Sequence, residues 1–333
     1  MYNIDNIEYS KFIDNNMYLT SCQKKILKRL IYNKNKFYVN PISNKQIFTF
    51  VYNANKQQNI IKTSHLMLLF NKFISYHHSI KLVNLIYNEK LSDINVIHKI
   101  LEYKKNYKMI IDKNNIGNTC SSWKYILQKL AINVQSYFSK INLDIKTLKY
   151  LDVGCGDAFK TDMFGRYLNI INDNIFGTDI PNWGPYSNTQ RQVIQKNNFQ
   201  FIKNNNINYD DNSFDLVSCF LMLHHVEDLH KILSEIKRIL KPNGIVVIIE
   251  HDCHDDFDHL IIDILHTCFG FIIDNNKNII KSPNYSQYFN QWQWDFIFHK
   301  YNFNYIKKNY IFNSLDHDTR FDHIYYSIYS NVK

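Results

Sequence analysis

The run Leu148-Lys149-Tyr150-Leu151-Asp152-Val153-Gly154-Cys155-Gly156-Asp157 constrains this chain more than any other stretch. Its apolar first half reads as a short strand, two glycines follow in a turn, and Lys160 to Leu168 is compatible with a helix. A strand-to-helix turn needs glycine where backbone approaches a ligand closely, and the helix start presents free N–H groups to it. Three details narrow the ligand. Asp152 lies two residues before the first glycine, where a phosphate-binding loop would avoid a carboxylate. Phe159 stands where a dinucleotide fingerprint has its third glycine. A second strand, Asn174 to Thr178, ends in Asp179, at roughly the twenty-residue offset where such folds place a ribose-binding acid.

An early acid suits a cationic ligand and a later one suits a nucleoside. S-adenosyl-L-methionine carries an ammonium, a sulfonium and a ribose diol, and so fits both. The stretch from Tyr150 to Asp252 resembles the class I S-adenosylmethionine-dependent methyltransferases, in particular the branch in which one Rossmann-like domain methylates diverse substrates. The likeness rests on four motifs in order: the glycine loop; Tyr209-Asp210-Asp211-Asn212-Ser213-Phe214-Asp215-Leu216-Val217 entering strand four; Leu223-His224-His225-Val226 leaving it; and Arg238-Ile239-Leu240-Lys241-Pro242-Asn243-Gly244 approaching strand five. The resemblance implies an α/β fold with a doubly wound, mostly parallel seven-stranded Rossmann-like sheet; outside it, a mostly helical N-terminal accessory region is expected. The resemblance also implies cofactor contacts. Asp152 and Gly154 would hold the methionine end, Asp179 the ribose hydroxyls and Ile180 the adenine face, with Cys155, Gly156 and Leu221 as further cofactor contacts. The acid that the family often places after strand three is replaced by Asn204 or Asn205, whose side-chain carbonyl can still accept from the adenine amine.

Composition bounds the rest. In 333 residues, 45% are hydrophobic and 15% aromatic, which excludes a disordered chain and provides for one large or two modest domains. The six cysteines show no C-x-x-C spacing, which favours a reduced, intracellular setting. No window approaches the roughly 20 apolar residues of a membrane span. A soluble, cytoplasmic protein is expected. The net charge of +9 leaves nucleic acid open as a partner without favouring it, since the chain is rich in lysine throughout.

Residues 1–112 lie outside the resemblance and are expected to form a mixed, mostly helical accessory domain; 113–333 would be the methyltransferase-type domain, with an inserted lid-like segment at about 275–295. In the first part, Lys24 to Ile31 reads as a basic amphipathic helix and Gln46 to Tyr52 as a strand, while Ser64 to Tyr76 and Ser92 to Tyr103 read as helices. A helix from Ser121 to about Phe138 presents Trp123, Ile126, Leu127, Leu130, Ile132 and Val134; in the family a helix here covers the cofactor mouth. Strands follow at Tyr150 to Val153, Phe176 to Asp179, Phe199 to Ile202, Leu216 to Phe220 and Ile245 to Glu250, closed by Asn304 to Phe312 and His323 to Ser330. Tyr285, Tyr288, Phe289, Trp292 and Phe296 fall at helical spacing, as a lid over the substrate or as ordinary packing.

Methyl transfer from a sulfonium is an in-line displacement, so a protein must align donor and acceptor and, for a protonated acceptor, remove a proton. His225 is the leading candidate base, following strand four at the switch point; His224, Glu250 and His251 are secondary. The run from Glu250 to His259 is dense in metal-binding groups but local, without the distant ligands of a zinc site, and active-site lining is preferred to metal binding. Lys124 could stand for the first lysine of the Lys-Asp-Lys-Glu set of ribose methyltransferases, but Cys219-Phe220-Leu221 puts no acid after strand four and no Pro-Pro-aromatic run for nucleobase work. The expected activity is methyl transfer to an unidentified acceptor. The alternatives are an RNA methyltransferase and a catalytically inactive scaffold or RNA-binding module.

Overall fold

The computed structural model describes residues 6–15, 66–67, 70–71, 74–88, 93–107, 113–181, 194, 198–204, 206–254, 258–259, 262, 266, 286–311 and 323–332. The basic stretch Lys24 to Ile31 and the strand-like stretch Gln46 to Tyr52 lie outside them. Seven strands form one sheet: β1 (Tyr150–Val153), β2 (Ile175–Asp179), β3 (Phe199–Phe201), β4 (Phe214–Phe220), β5 (Leu240–His251), β6 (Phe303–Tyr310) and β7 (Ile324–Asn331). Their spatial order is β3-β2-β1-β4-β5-β7-β6. The first five run parallel, and β7 pairs antiparallel with both β5 and β6. The order reverses between β1 and β4, which makes the C-terminal ends of these two strands the switch point where such sheets bind ligands.

All residues of β1 and β4 are buried, as expected for central parallel strands covered on both faces. The described helices are α1 (Asn6–Asn15), α2 (Tyr76–Asn88), α3 (Asp93–Tyr107), α4 (Lys113–Lys140), α5 (Phe159–Leu168), α6 (Leu229–Ile239) and α7 (Gln291–Lys300). On one face of the sheet, α4 and α5 bury Leu127, Leu130, Val134, Phe138, Phe164 and Leu168 against Tyr150, Leu216 and Val247. On the other, α6 and α7 bury Leu229, Ile232, Leu233, Ile236, Trp294 and Phe298 against Val153, Val217 and Val246. In α6 these apolar residues recur every three or four positions, and the Asp228 side chain caps its start by accepting from the Lys231 N–H at 3.0 Å.

Four expectations need correction. Helix α4 starts at Lys113 rather than Ser121, and Ile132 is 59% exposed because it falls off the stripe made by Leu127, Leu130 and Val134. The helix expected over Ser64 to Tyr76 does not run through: Ile74 and Ser75 are non-helical and α2 begins at Tyr76. Strand β5 begins at Leu240, five positions early, because Leu240 pairs with Phe214 and Lys241 reaches both Asp215 carboxylate oxygens at 2.8 and 2.9 Å. Of the five aromatics expected on one helix, only Trp292 and Phe296 are on α7; Tyr288 and Phe289 precede it, where Asn290 and Gln293 form a capping box, and Tyr285 lies outside the described residues. Helix α1 packs Tyr9 and Ile13 on Phe296 of α7, and Glu8 pairs with Lys300. No helix among the described residues is long and apolar enough to cross a membrane.

Candidate active site

The loop after β1 winds through the left-handed region three times, at Gly154 (φ 73°), Gly156 (φ 58°) and Ala158 (φ 62°), before entering α5. Its turn is anchored from below. The N–H groups of Gly154 and Cys155 both donate to the Thr178 carbonyl, at 2.8 and 3.1 Å, and the Gly156 N–H donates to Asp179 Oδ2 at 2.7 Å. Glycine is required at 154 for a second reason: a Cβ there would stand 2.8 Å from the Cβ of Met222, in the turn after β4.

Asp152 lies under this loop, not on it. It is 1% exposed, and its two oxygens accept from Ser218 Oγ and Thr161 Oγ1, both at 2.5 Å. Tyr150 Oη shares a further hydrogen bond with Ser218 at 2.7 Å. Burial pushes the Asp152 carboxyl up to about 6, against the pull of those hydroxyls and of Lys160. The direct contact expected between Asp152 and a ligand ammonium is therefore not what this geometry gives. The carboxylate ties β1, β4 and α5 together beneath the turn.

Asp179 closes β2, 4% exposed, with Oδ1 accepting from the Ile180 N–H at 2.7 Å. Beside it opens a groove of about 680 Å³ lined by Ile180, Ile202 and Asn204 on the strand ends and by Lys231 of α6 with its capping residue Asp228. Ile180 is 41% exposed into solvent. An apolar face, a buried carboxylate and an exposed amide thus come together on one side of the loop. Asn205 lies outside the described residues. On the other side, Leu221 takes φ 56° as β4 ends, a conformation costly for a branched side chain, with its N–H held by the Ile249 carbonyl at 2.8 Å.

Beyond Leu221 the chain makes a single turn, Leu223–His225, and presents a cluster of imidazoles. His224 Nδ1 pairs with Glu250 Oε2 at 2.6 Å, and the Leu223 N–H donates to Glu250 Oε1 at 2.9 Å. The ring centroids of His225, His251 and His266 lie 4.1, 5.0 and 5.1 Å from that of His224. The Tyr288 ring stacks on His266 at 5.8 Å, and its hydroxyl meets His266 Nδ1 at 3.0 Å. The segment before α7 is stitched to the same turn, since the Gln287 N–H donates to the His224 carbonyl and Gln287 Nε2 to the Val226 carbonyl, each at 2.8 Å. Burial drives the titration of the group: Glu250 is pushed up to about 8, and His224 and His251 fall well below the usual histidine range, helped by the neighbouring imidazoles. His225 and His266 are both half-buried, and His225 Nδ1 lies 3.4 Å from Ser286 Oγ.

Residues 151–248 match the family model described as "Methyltransferase domain". That segment is a methyltransferase domain. The chain is 29% identical over 129 residues to a sterol 24-C-methyltransferase of Yarrowia lipolytica, covering 37% of this chain and 32% of that one. It is 26% identical over 124 residues to a ubiquinone biosynthesis O-methyltransferase of Pasteurella multocida, covering 33% and 49%. The chain thus aligns with about a third to a half of the length of these curated relatives. Among solved structures, the YcgJ protein of Bacillus subtilis superposes with a TM-score of 0.38 at 17% identity, covering 56% of this chain and 93% of that one.

In and just beyond the matched segment, the structure gathers Gly154, Cys155, Gly156 and Asp179 at the loop, Ile180 and Asn204 at the groove, and His224 and His225 past β4 beside Glu250 and His251 at the end of β5. His266, Gln287 and Tyr288 join the last group without having been anticipated. No local pattern marks them, because His266 is a lone histidine far along the chain and Gln287 acts through backbone carbonyls. Lys160, on the first turn of α5, was also missed; its ammonium lies 4.7 Å over the Trp123 ring of α4.

Proposed function

We propose that this protein transfers a methyl group from S-adenosylmethionine to a small acceptor bound over the histidine cluster. The observation that carries the reading is the loop of Gly154 and Gly156 bonded to Asp179 at the switch point of a 3-2-1-4-5-7-6 sheet, inside the segment that matches the methyltransferase model. Backbone of Gly154, Cys155 and Gly156 would line the methionine end of the donor, and Lys160 would face its carboxylate. Asp179, which accepts from the Gly156 N–H through Oδ2 and from the Ile180 N–H through Oδ1, would hold the ribose hydroxyls. Ile180 would lie against the adenine face and Asn204 accept from its amine. Leu221 and Met222 would then border the sulfonium.

The acceptor would approach from the side of His225. Alignment of donor and acceptor supplies much of the rate in such a displacement, and proton removal would fall to His225, half-buried on the turn directly after β4. His224 and His251 are too deep to meet an acceptor directly and would act by positioning, as would Glu250. Residues 1–112 would form an accessory region.

Calorimetric titration with S-adenosylmethionine and S-adenosylhomocysteine tests the donor half of the reading, and labelled donor added to cell extract tests the acceptor half. Binding of both ligands with one site per chain is expected. Absence of any heat with folded protein would sink the enzyme and leave a scaffold.

A further inference from the structure

The histidine cluster has the makings of a metal site. One ring nitrogen from each of His224, His225 and His266 lies within 4.8 Å of the other two. These three come from two places, the turn after β4 and a distant segment, so the fold itself brings them together. The sequence around Glu250 to His259 offered only neighbours on one strand; the distant ligands come from elsewhere.

We propose that His224, His225 and His266 bind one divalent transition-metal ion, zinc by the nature of the donors, with Glu250 as the outer carboxylate. Three independent features of the geometry support this. First, the ring atoms available as ligands are fixed by what the other nitrogens do. His266 Nδ1 lies 2.8 Å from the Ile262 carbonyl, which can only accept, and 3.0 Å from the Tyr288 hydroxyl, which can accept as well; with the proton shared between them on Nδ1, Nε2 carries the lone pair. His224 Nδ1 is engaged by Glu250, which leaves Nε2 as its ligand atom. A carboxylate or a backbone carbonyl on the far nitrogen is the arrangement that orients metal-binding histidines and raises their basicity.

Second, two buried ring nitrogens in the same cluster have no hydrogen-bond partner among the described residues: Nε2 of His224, a residue 1% exposed, and Nδ1 of His251, a residue 5% exposed. A buried polar atom without a partner is unfavourable, and an ion bound by the three histidines would supply one to His224 Nε2. Third, the His251 ring stands 5.0 and 5.2 Å from those of His224 and His266, so a fourth imidazole borders the same centre, with Tyr288 over its outer side. Zinc holds imidazole nitrogens at about 2.0 to 2.1 Å, so the three rings close in by roughly an ångström on binding. Neutral imidazoles suit zinc, copper and nickel and leave magnesium and calcium unfavoured. With the ion in place His225 is a ligand rather than a free base, and an acceptor hydroxyl reaching an open position on the ion would lose its proton more readily.

The test is metal stoichiometry on the full chain, which does not depend on methyl transfer. Chelator-treated protein is dialysed against zinc and separately titrated with cobalt(II), whose visible absorption reports coordination. The expected result is one ion per chain, with a tetrahedral nitrogen-donor cobalt spectrum. Glu250→Gln is expected to weaken affinity by about 10- to 100-fold and His266→Gln by more. Circular dichroism of each variant establishes that it is folded, and His225→Gln serves as the second ligand variant should His266→Gln fail to fold. A wild-type protein that takes up no zinc, or folded ligand variants that retain its full affinity, would overturn the proposal. Donor binding measured by calorimetry on the same metal-free sample separates this failure from failure of the methyltransferase reading.

Discussion

Ser218 of β4 and Asp152 of β1 are joined by a hydrogen bond of 2.5 Å directly beneath the glycine loop, at a point where neither side chain reaches solvent. Since Thr161 of α5 binds the other carboxylate oxygen, one buried acid holds three elements in register. Its titration is therefore expressed as fold stability.

The sign follows from burial. The folded-state pKa of Asp152 is raised to about 6, so between pH about 4 and about 6 the folded chain holds the proton more tightly than the unfolded chain. The contribution of this site to stability is fullest below pH about 4 and declines as pH rises through 6, by about 3 kcal/mol in all. Asp152→Asn is expected to remove that decline. Urea unfolding of both proteins from pH 4 to pH 7 checks it; parallel curves would show that Asp152 ionises at no cost.

Gly154→Ala is expected to damage both the fold and the site. The left-handed backbone at 154 costs an L-residue about 1 to 2 kcal/mol, and the added Cβ meets Met222 Cβ at 2.8 Å, close to the main chain, where it cannot swing aside. A lower melting temperature is expected, together with loss of S-adenosylmethionine binding by calorimetry. A variant with full affinity would show that this turn does not touch the donor.

Asp179→Ala is expected to cost more donor affinity than Asn204→Ala. Hydrogen bonds to a charged group contribute about 1.5 to 3 kcal/mol each, against about 0.5 to 1.5 for a neutral amide. Asp179 also holds the Gly156 N–H, so its removal loosens the loop as well. Titration of both variants with S-adenosylhomocysteine decides, and equal losses would place the ribose elsewhere.

A separate test concerns the buried ion pair between Lys308 of β6 and Asp295 of α7, with side chains 12% and 6% exposed. The lysine also lies 3.6 Å over the Trp292 ring, and Asp295 accepts from Tyr329 Oη at 2.7 Å. Breaking such a pair from one side leaves a charge buried, which costs about 3 to 5 kcal/mol. Lys308→Met is therefore expected to destabilise strongly, and Lys308→Met with Asp295→Asn less than the sum of the single changes. Additive losses in chemical denaturation would show that the two charges do not interact.

Much of the fold was legible in the sequence, because β1, β2, β4 and β5 are short apolar runs bounded by glycine, asparagine or acids, and their order carried the sheet. The misplaced boundaries have local causes that composition hides. Leu240 to Gly244 joins β5 despite Pro242 because Lys241 is anchored on Asp215, and Ile132 looked like core only because neighbouring stripe residues are apolar. Within the candidate site, the glycines and Asp179 could be read from their spacing. Asp152 could be found but not oriented, since a carboxylate beside a glycine loop reads the same whether it faces a ligand or two hydroxyls. His266 and Gln287 could not be found at all: their place beside His224 is a product of tertiary packing.

The interleaved order β5-β7-β6 has a consequence for how the chain is made. During synthesis β5 emerges with its outer edge unpaired, and β6, though it follows next among the strands, cannot fill that place, because the strand that fits is Ile324–Asn331. For the time needed to synthesise residues 252–323, an apolar strand edge from Ile245 to Ile249 stands open to any other extended segment. Such edges pair indiscriminately. The nascent chain is thus most exposed to misassembly after its ligand loop has been made and before its sheet can close, and a bound chaperone or an early-binding donor would be of most use in that interval.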